Sequence, residues 1–199
     1  MRSCRSRRAC LRALIAFALA LAGACVTAPA GAQLREALRY DYYEVQLGPG
    51  RMYPQIRAAS PPRKNGETYT GYTTWNMHWN TRWQRAGDGS CRYTSIAIQI
   101  DIDISLPRVR GAGAAQAAAF ERYLSALHGH ELGHAEIVRE EARSLERALL
   151  ALPPARDCDT LRAQGSAIGQ SHLQRARERN REYDARTGHG RTQGAVLRE

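Results

Sequence analysis

The chain has 199 residues, with 29 Lys or Arg against 19 Asp or Glu and a formal net charge of +10. Five of the arginines (Arg2, Arg5, Arg7, Arg8, Arg12) precede Ala32 and no acidic residue does, so from Gln33 onward 24 basic residues face 19 acidic ones. A mild, scattered excess of this kind excludes the basic stripe of a nucleic-acid binder. The 167 residues of 33–199 suffice for one domain with its own core.

Residues 1–32 read as a secretory signal peptide: a basic start, the apolar run "LRALIAFALALAGACV", then small residues. The run is short for a bilayer-spanning helix, which needs about 20 residues, so no stable membrane span is expected in the mature chain. Cleavage is expected after Ala30-Gly31-Ala32; the alternative is lipidation at Cys25, where Ala22 takes the place usually held by a larger aliphatic residue. Either way the protein is expected in the periplasm or outside the cell. Export leaves Cys91 and Cys158 as the remaining cysteines, and an oxidising compartment predicts a disulfide between them.

In chain order, "YDYYEVQ" (40–46) predicts a strand, "LGPG" a turn, 51–59 a short helix and 60–67 a loop. In 68–84, Trp75, Met77, Trp79 and Trp83 alternate with polar residues that include Asn76, His78 and Asn80, the period of a half-buried strand. "AGDGS" (86–90) predicts a hairpin turn. The returning strand, "SIAIQIDIDISLP", sets Ile96, Ile98, Ile100, Ile102 and Ile104 toward a core. Asp101 and Asp103 share its wet face, and alternation accounts for them without a metal. Residues 113–151 and about 157–182 predict two helices, and "ARTGHGRTQGAVLRE" a glycine-bearing tail. Strands first and helices afterwards predict an α+β domain: a small antiparallel sheet, a long helix and a second helix.

"HGHELGH" (128–134) falls inside the long helix. At about 100° per residue, His130 and His134 project about 40° apart and one turn along, so both imidazoles can reach one zinc ion. Glu131 stands beside that position as a general base for a zinc-activated water, the logic of H-E-x-x-H on a helix. Gly133 costs a helix roughly 1 kcal/mol against alanine, which points to close packing against that face. His128 lies about 200° round from His130 and is expected to face elsewhere. The bland alternative is a solvated polar patch.

Catalytic zinc usually takes three protein ligands and a water. Glu141 lies about 10 Å beyond His134 along the axis and cannot close the site, so the third ligand must come from another segment. His78 lies on a strand's polar face and His172 in a charged helix; His189, in "YDARTGHGRTQG", is the expected third ligand, with Asp184 as runner-up and Tyr183 lining the cleft.

The signal peptide, "TGYTTWNMHW", the cysteine opening the next strand, "HELGH", "CDTL" and "YDARTGHGRTQGA" together resemble a bacterial family of predicted secreted zinc-dependent proteases, catalogued as a domain of unknown function. The resemblance spans nearly the whole mature chain and implies zinc, a zincin-like fold and peptidase chemistry on a protein or peptide substrate. Two function classes follow as expectations. One is a zinc peptidase with Glu131 as base; the other is a non-enzymatic envelope protein whose zinc site is structural or unused and which binds a protein or peptide partner.

Overall fold

A computed structural model describes residues 31–62 and 66–198; residues 1–30 of the expected leader, with Cys25 and Ala30, lie outside the described residues. The isoleucine segment forms the spine of the sheet. In β3 (Cys91–Arg110) the five alternating isoleucines are each at most 1% exposed. At about 1.5–3 kcal/mol per fully buried aliphatic side chain, this face is a major source of the fold's stability. β2 (Tyr72–Arg85) pairs with β3 antiparallel, with Met77 opposite Ile100 and Trp79 opposite Ile98.

β1 (Gly31–Gln46) pairs with the other edge of β3, giving the order β1-β3-β2, and it does so in parallel. The sheet is therefore mixed, not antiparallel as expected. From Gln46, beside Arg110, the chain passes through α1 (Met52–Ala59) over the end of β3 and enters β2 at Tyr72, beside Ser105. β2 thus runs opposite to β1, which leaves β1 parallel to β3. Met52 and Ile56 of α1 are buried, as is Val45. The strand expected at 40–46 also extends back to Gly31, although "LREALR" is rich in helix formers. Pairing to β3 decides the conformation, because strand preference yields readily to context. Side chains add to it: Arg39 Nε lies 2.7 Å from Asp103 Oδ1 on the wet face, and Arg139 reaches Glu36 at 2.6 Å on the other.

Trp83 shares the face of Trp75 and Trp79, opposite Tyr93 and with the Arg162 guanidinium 5.8 Å over its ring, but at the end of the strand it is 42% exposed. Pairing jumps from Arg82↔Ser95 to Trp83↔Tyr93, so one extra residue of β3 bulges there. Bulges re-aim side chains, and this one sets Tyr93 toward α3 (Cys158–Thr187), where its hydroxyl donates to the Leu161 carbonyl at 3.1 Å. A Cβ at Gly165 would lie 2.0 Å from that hydroxyl, and one at Gly169 would lie 2.1 Å from Trp79. The two glycines of α3 are the sockets into which the sheet's aromatics fit.

α2 (Ala114–Leu150) crosses the sheet with Phe120, Tyr123, Leu127, His134, Val138, Leu145 and Leu149 buried, a stripe at helical spacing. α3 packs on α2 and is capped by Asp157, whose carboxylate accepts from the Thr160 amide at 2.7 Å. Cys91 and Cys158 form the expected disulfide, with Cα atoms 5.0 Å apart, and Cys91 also exchanges backbone hydrogen bonds with Ala155. α3 ends at Thr187, capped by Gly188 in the left-handed conformation. That is five residues beyond the expected 182. No helix among the described residues is long and apolar enough to cross a membrane.

Candidate metal centre

The α2 stripe turns polar for one turn. His130, Glu131 and His134 are 3%, 3% and 8% exposed and occupy a stretch of the helix whose neighbouring turns bury Leu127 and Val138. Buried polar groups cost free energy unless they are partnered, and each of these three is.

His130 Nδ1 lies 2.9 Å from Gln193 Oε1, and His134 Nδ1 lies 2.6 Å from Asn180 Oδ1. The Asn180 orientation is determined independently, because its Nδ2 donates to the Ala176 carbonyl at 2.8 Å. An amide oxygen can only accept, so Nδ1 of each ring carries a proton and Nε2 points into the cleft. There both Nε2 atoms meet one carboxylate oxygen: Asp184 Oδ1 lies 3.2 Å from His130 and 3.0 Å from His134. Burial presses the Asp184 carboxyl upward, but the contacts with His130 and His134 outweigh it and hold the group well below the usual carboxylate range. Burial likewise opposes charge on His134, and Asp184 with Asn180 overcomes it and raises the ring's pKa.

Among the described residues, His130, His134 and Asp184 are the group whose ligand atoms all lie within 4.8 Å of one another. Zinc with bonds of 2.0–2.2 Å in tetrahedral array needs ligand atoms roughly 3.3 Å apart, and the observed 3.0 and 3.2 Å are close to that edge. The donor set also fits: two imidazole nitrogens, each with its second nitrogen held by a carbonyl-type oxygen, the outer-shell arrangement common to metal-bound histidine.

The convergent oxygen belongs to Asp184 and not, as expected, to a nitrogen of His189. Because α3 runs on to Thr187, Asp184 sits on a rigid helix one turn after Asn180, facing α2. His189 follows the Gly188 cap in the left-handed region (φ 53°), with its side chain 55% exposed and Nδ1 3.4 Å from Asp184 Oδ1. It lies against Tyr69 at the mouth of the cleft. The tail does dock, through other residues. A Cβ at Gly190 would lie 3.1 Å from the His130 ring, and Gln193 of the short 3₁₀ turn Arg191–Gln193 reaches His130.

Tyr183 stacks on His130 with centroids 5.0 Å apart and meets His134 edge-on at 4.9 Å. A Cβ at Gly133 would lie 2.1 Å from the Tyr183 hydroxyl, which is why the helix has glycine between the two histidines. Glu131 projects from the same turn toward β2. The Thr73 hydroxyl donates to Glu131 Oε2 at 2.8 Å, and a Cβ at Gly71 would lie 2.7 Å from Oε1. Burial raises the Glu131 pKa against the opposing pull of the Thr73 bond and the two histidines.

The remaining histidines lie elsewhere. His128 faces β1, with Nε2 3.0 Å from the Tyr40 hydroxyl; His172 pairs with Glu141 at 2.9 Å; His78 is exposed on the polar face of β2. Thr73, Asn180 and Gln193 are the partners that motif reading did not find. Asn180 had a signal, since Asn180, Tyr183 and Asp184 recur at i, i+3 and i+4, but it becomes visible only once the helix is carried past 182.

The triangle and Glu131 form one wall of a cleft of about 610 Å³ bordered by β2 and by the end of α3. The group can hold a divalent cation with one position open and a buried carboxylate alongside. Neither a curated protein nor a solved structure matches the chain. The profile described as "Bacterial protein of unknown function (DUF922)" matches residues 40–190, a span that includes the triangle, Glu131 and both disulfide cysteines, and the chain belongs to that family.

Proposed function

We propose that the protein is an exported zinc-dependent peptidase, with His130, His134 and Asp184 as metal ligands and Glu131 as general base. One observation carries this reading: two Nε2 atoms and a carboxylate oxygen converge at 3.0–3.2 Å beside a buried glutamate, in the wall of a cleft. A cation placed among two imidazole nitrogens and a carboxylate oxygen would be attracted by all three. Three protein ligands and a free fourth position are the pattern of catalytic zinc, whereas structural sites are closed.

When bound, zinc supplies Lewis acidity, polarising a carbonyl and drawing the pKa of a water from 15.7 toward about 7. The chain's own residues do the rest. Thr73 holds one oxygen of Glu131 and leaves the other to accept the water's proton and pass it to the leaving amine. Asn180 and Gln193 keep both rings in the tautomer that presents Nε2. Tyr183, seated on Gly133, stops the His130 ring from turning.

The edge strand β2 supports a polypeptide substrate. A second hollow of about 990 Å³ follows it, bounded by Gln170, Leu173 and Arg177 of α3, and Tyr72, Thr73, Trp75 and Arg177 line both hollows. An extended segment added to this edge would have its main chain paired and would pass the metal triangle.

The deciding experiment measures zinc stoichiometry together with cleavage of a denatured protein. The expected result is one zinc per chain, cleavage abolished by a chelator and restored by zinc, and a Glu131→Gln variant that keeps zinc and loses cleavage. Full cleavage by Glu131→Gln would sink the mechanism. One tightly bound zinc without cleavage of any unfolded protein or peptide would favour the non-enzymatic binding reading.

A further inference from the structure

The rim of the cleft carries a charge that the metal chemistry does not use. Arg57, Arg177, Arg181 and Arg191 all line it. Among the described residues, the acidic ones in its lining are Glu131 and Asp184, both engaged in the site, and Glu67, which accepts from the Tyr69 hydroxyl at 2.7 Å. Arg177 makes no ion pair among the described residues, and Arg181 reaches only Glu178, on its own helix, at 3.7 Å. Four guanidinium groups around one concave site create a field that draws anionic segments.

α3 runs beside β2, with Trp79 packed on Gly169, and just beyond the two elements Tyr69 lies against His189. Along it, Arg181 and Arg177 precede Asp184 by three and seven residues, about 4.5 and 10 Å at 1.5 Å per residue. An extended chain advances about 3.3 Å per residue, so a side chain that meets Arg177 stands about three residues from the one over the metal triangle. We infer that this cleft selects acidic polypeptide segments, with Asp or Glu one to three residues from the scissile bond on the side that follows β2. The inference rests on the peptidase reading for the phrase "scissile bond" and on the arginines for the charge.

The test uses fluorescein-labelled 12-residue peptides of one sequence in three versions, with Asp and Glu, with Asn and Gln, or with Lys at the flanking positions. Their binding to the zinc-loaded Glu131→Gln protein is followed by anisotropy. The acidic peptide is expected to bind about tenfold more tightly than its amide counterpart at low salt. The preference should shrink in 0.5 M NaCl, where screening shortens to a few ångströms. The double variant Arg177→Gln/Arg181→Gln should lose about fivefold of the preference, the scale of two exposed ion pairs. Its zinc content and melting temperature should not change, and Arg177→Lys/Arg181→Lys should retain most of the preference. Equal binding of acidic and amide peptides overturns the inference, as does a preference that survives the double Gln variant intact. Cleavage by the wild-type protein separates the two readings. Acid-selective binding without cleavage leaves the inference standing and removes the peptidase, and cleavage without acid preference does the reverse.

Discussion

Two clusters of histidine and carboxylate join α2 to α3, and they differ in what they leave unanswered. In the first, Glu141 lies between His172 at 2.9 Å, Arg179 at 3.1 Å and Arg175 at 3.4 Å, so three donors from α3 surround one carboxylate from α2. Charge and hydrogen bonding close on themselves there. In the second, His130 and His134 spend their Nδ1 protons on Gln193 and Asn180 and turn both Nε2 atoms toward Asp184. Its polar atoms converge on a point between them. The residue types are nearly the same, and the difference lies in whether the partners point at each other or at a shared space. The first is a clasp, and the second is a receptor.

Removing one member of the receptor is expected to have the largest effect. His130→Ala, His134→Ala and Asp184→Ala should each lose zinc by more than the 10- to 100-fold that an outer-shell change costs, measured by metal analysis after equilibrium dialysis. Glu141→Ala should leave the stoichiometry at the wild-type value. Zinc loss in Glu141→Ala, or zinc retained in Asp184→Ala, would erase the distinction.

Next in size is the clasp. Glu141→Ala strands a buried His172 and should cost about 2–3 kcal/mol in urea unfolding, toward the low end for a broken buried pair because the two arginines are part-exposed. The pH dependence carries a sign. Burial opposes the charge on Glu141, but the His172 and Arg179 bonds prevail and depress its pKa. A depressed carboxylate contributes its full stability above the unfolded value of about 4.3 and loses it as pH falls through the folded value. Glu141→Gln should therefore flatten the acid limb of the stability curve below about pH 4.5. An unchanged limb would mean that the clasp carries no charge linkage.

Smaller still, Asn180→Ala and Gln193→Ala should each weaken zinc about tenfold by freeing a ring, at the lower end for outer-shell partners. Competition with a chromogenic chelator would measure this. The smallest effect is expected for His128→Ala. Its ring meets Tyr40, edge-on at 5.4 Å and with Nε2 3.0 Å from the hydroxyl, away from the triangle, and its zinc affinity should stay within twofold of wild type, with stability changing by less than about 0.5 kcal/mol. His189→Ala sharpens the assignment of the third ligand: with Asp184 in that position, zinc affinity should change less than in Asn180→Ala.

The contrast between clasp and receptor was half visible in the residues. Both histidines of the receptor and its glutamate could be read from one heptapeptide, because a helix sets residues i and i+4 on one face whatever surrounds it. Gly133 announced close packing without naming Tyr183. The third corner was harder. Ending α3 at 182 put Asp184 in a loose tail and made His189 the more attractive donor, since the charged run "ARERNREYD" weakens the hydrophobic period that marks a helix. What carries α3 onward is its docking on α2 through Asn180 and Asp184, together with the Gly188 cap.

The sequence by itself determined what depends on neighbours along the chain: the isoleucine face of β3, the amphipathic α2, the turn at 86–90 and the pairing of the two cysteines outside the expected leader. Each follows from a local period or a count. The tertiary structure alone decided the rest: β1 paired in parallel along its whole length from Gly31, the bulge that turns Tyr93 onto α3, and Asp184 brought within 3.2 Å of two histidines some fifty residues away. Those outcomes depend on which surfaces meet, and a period of two or 3.6 fixes the face a residue occupies without fixing what that face will touch.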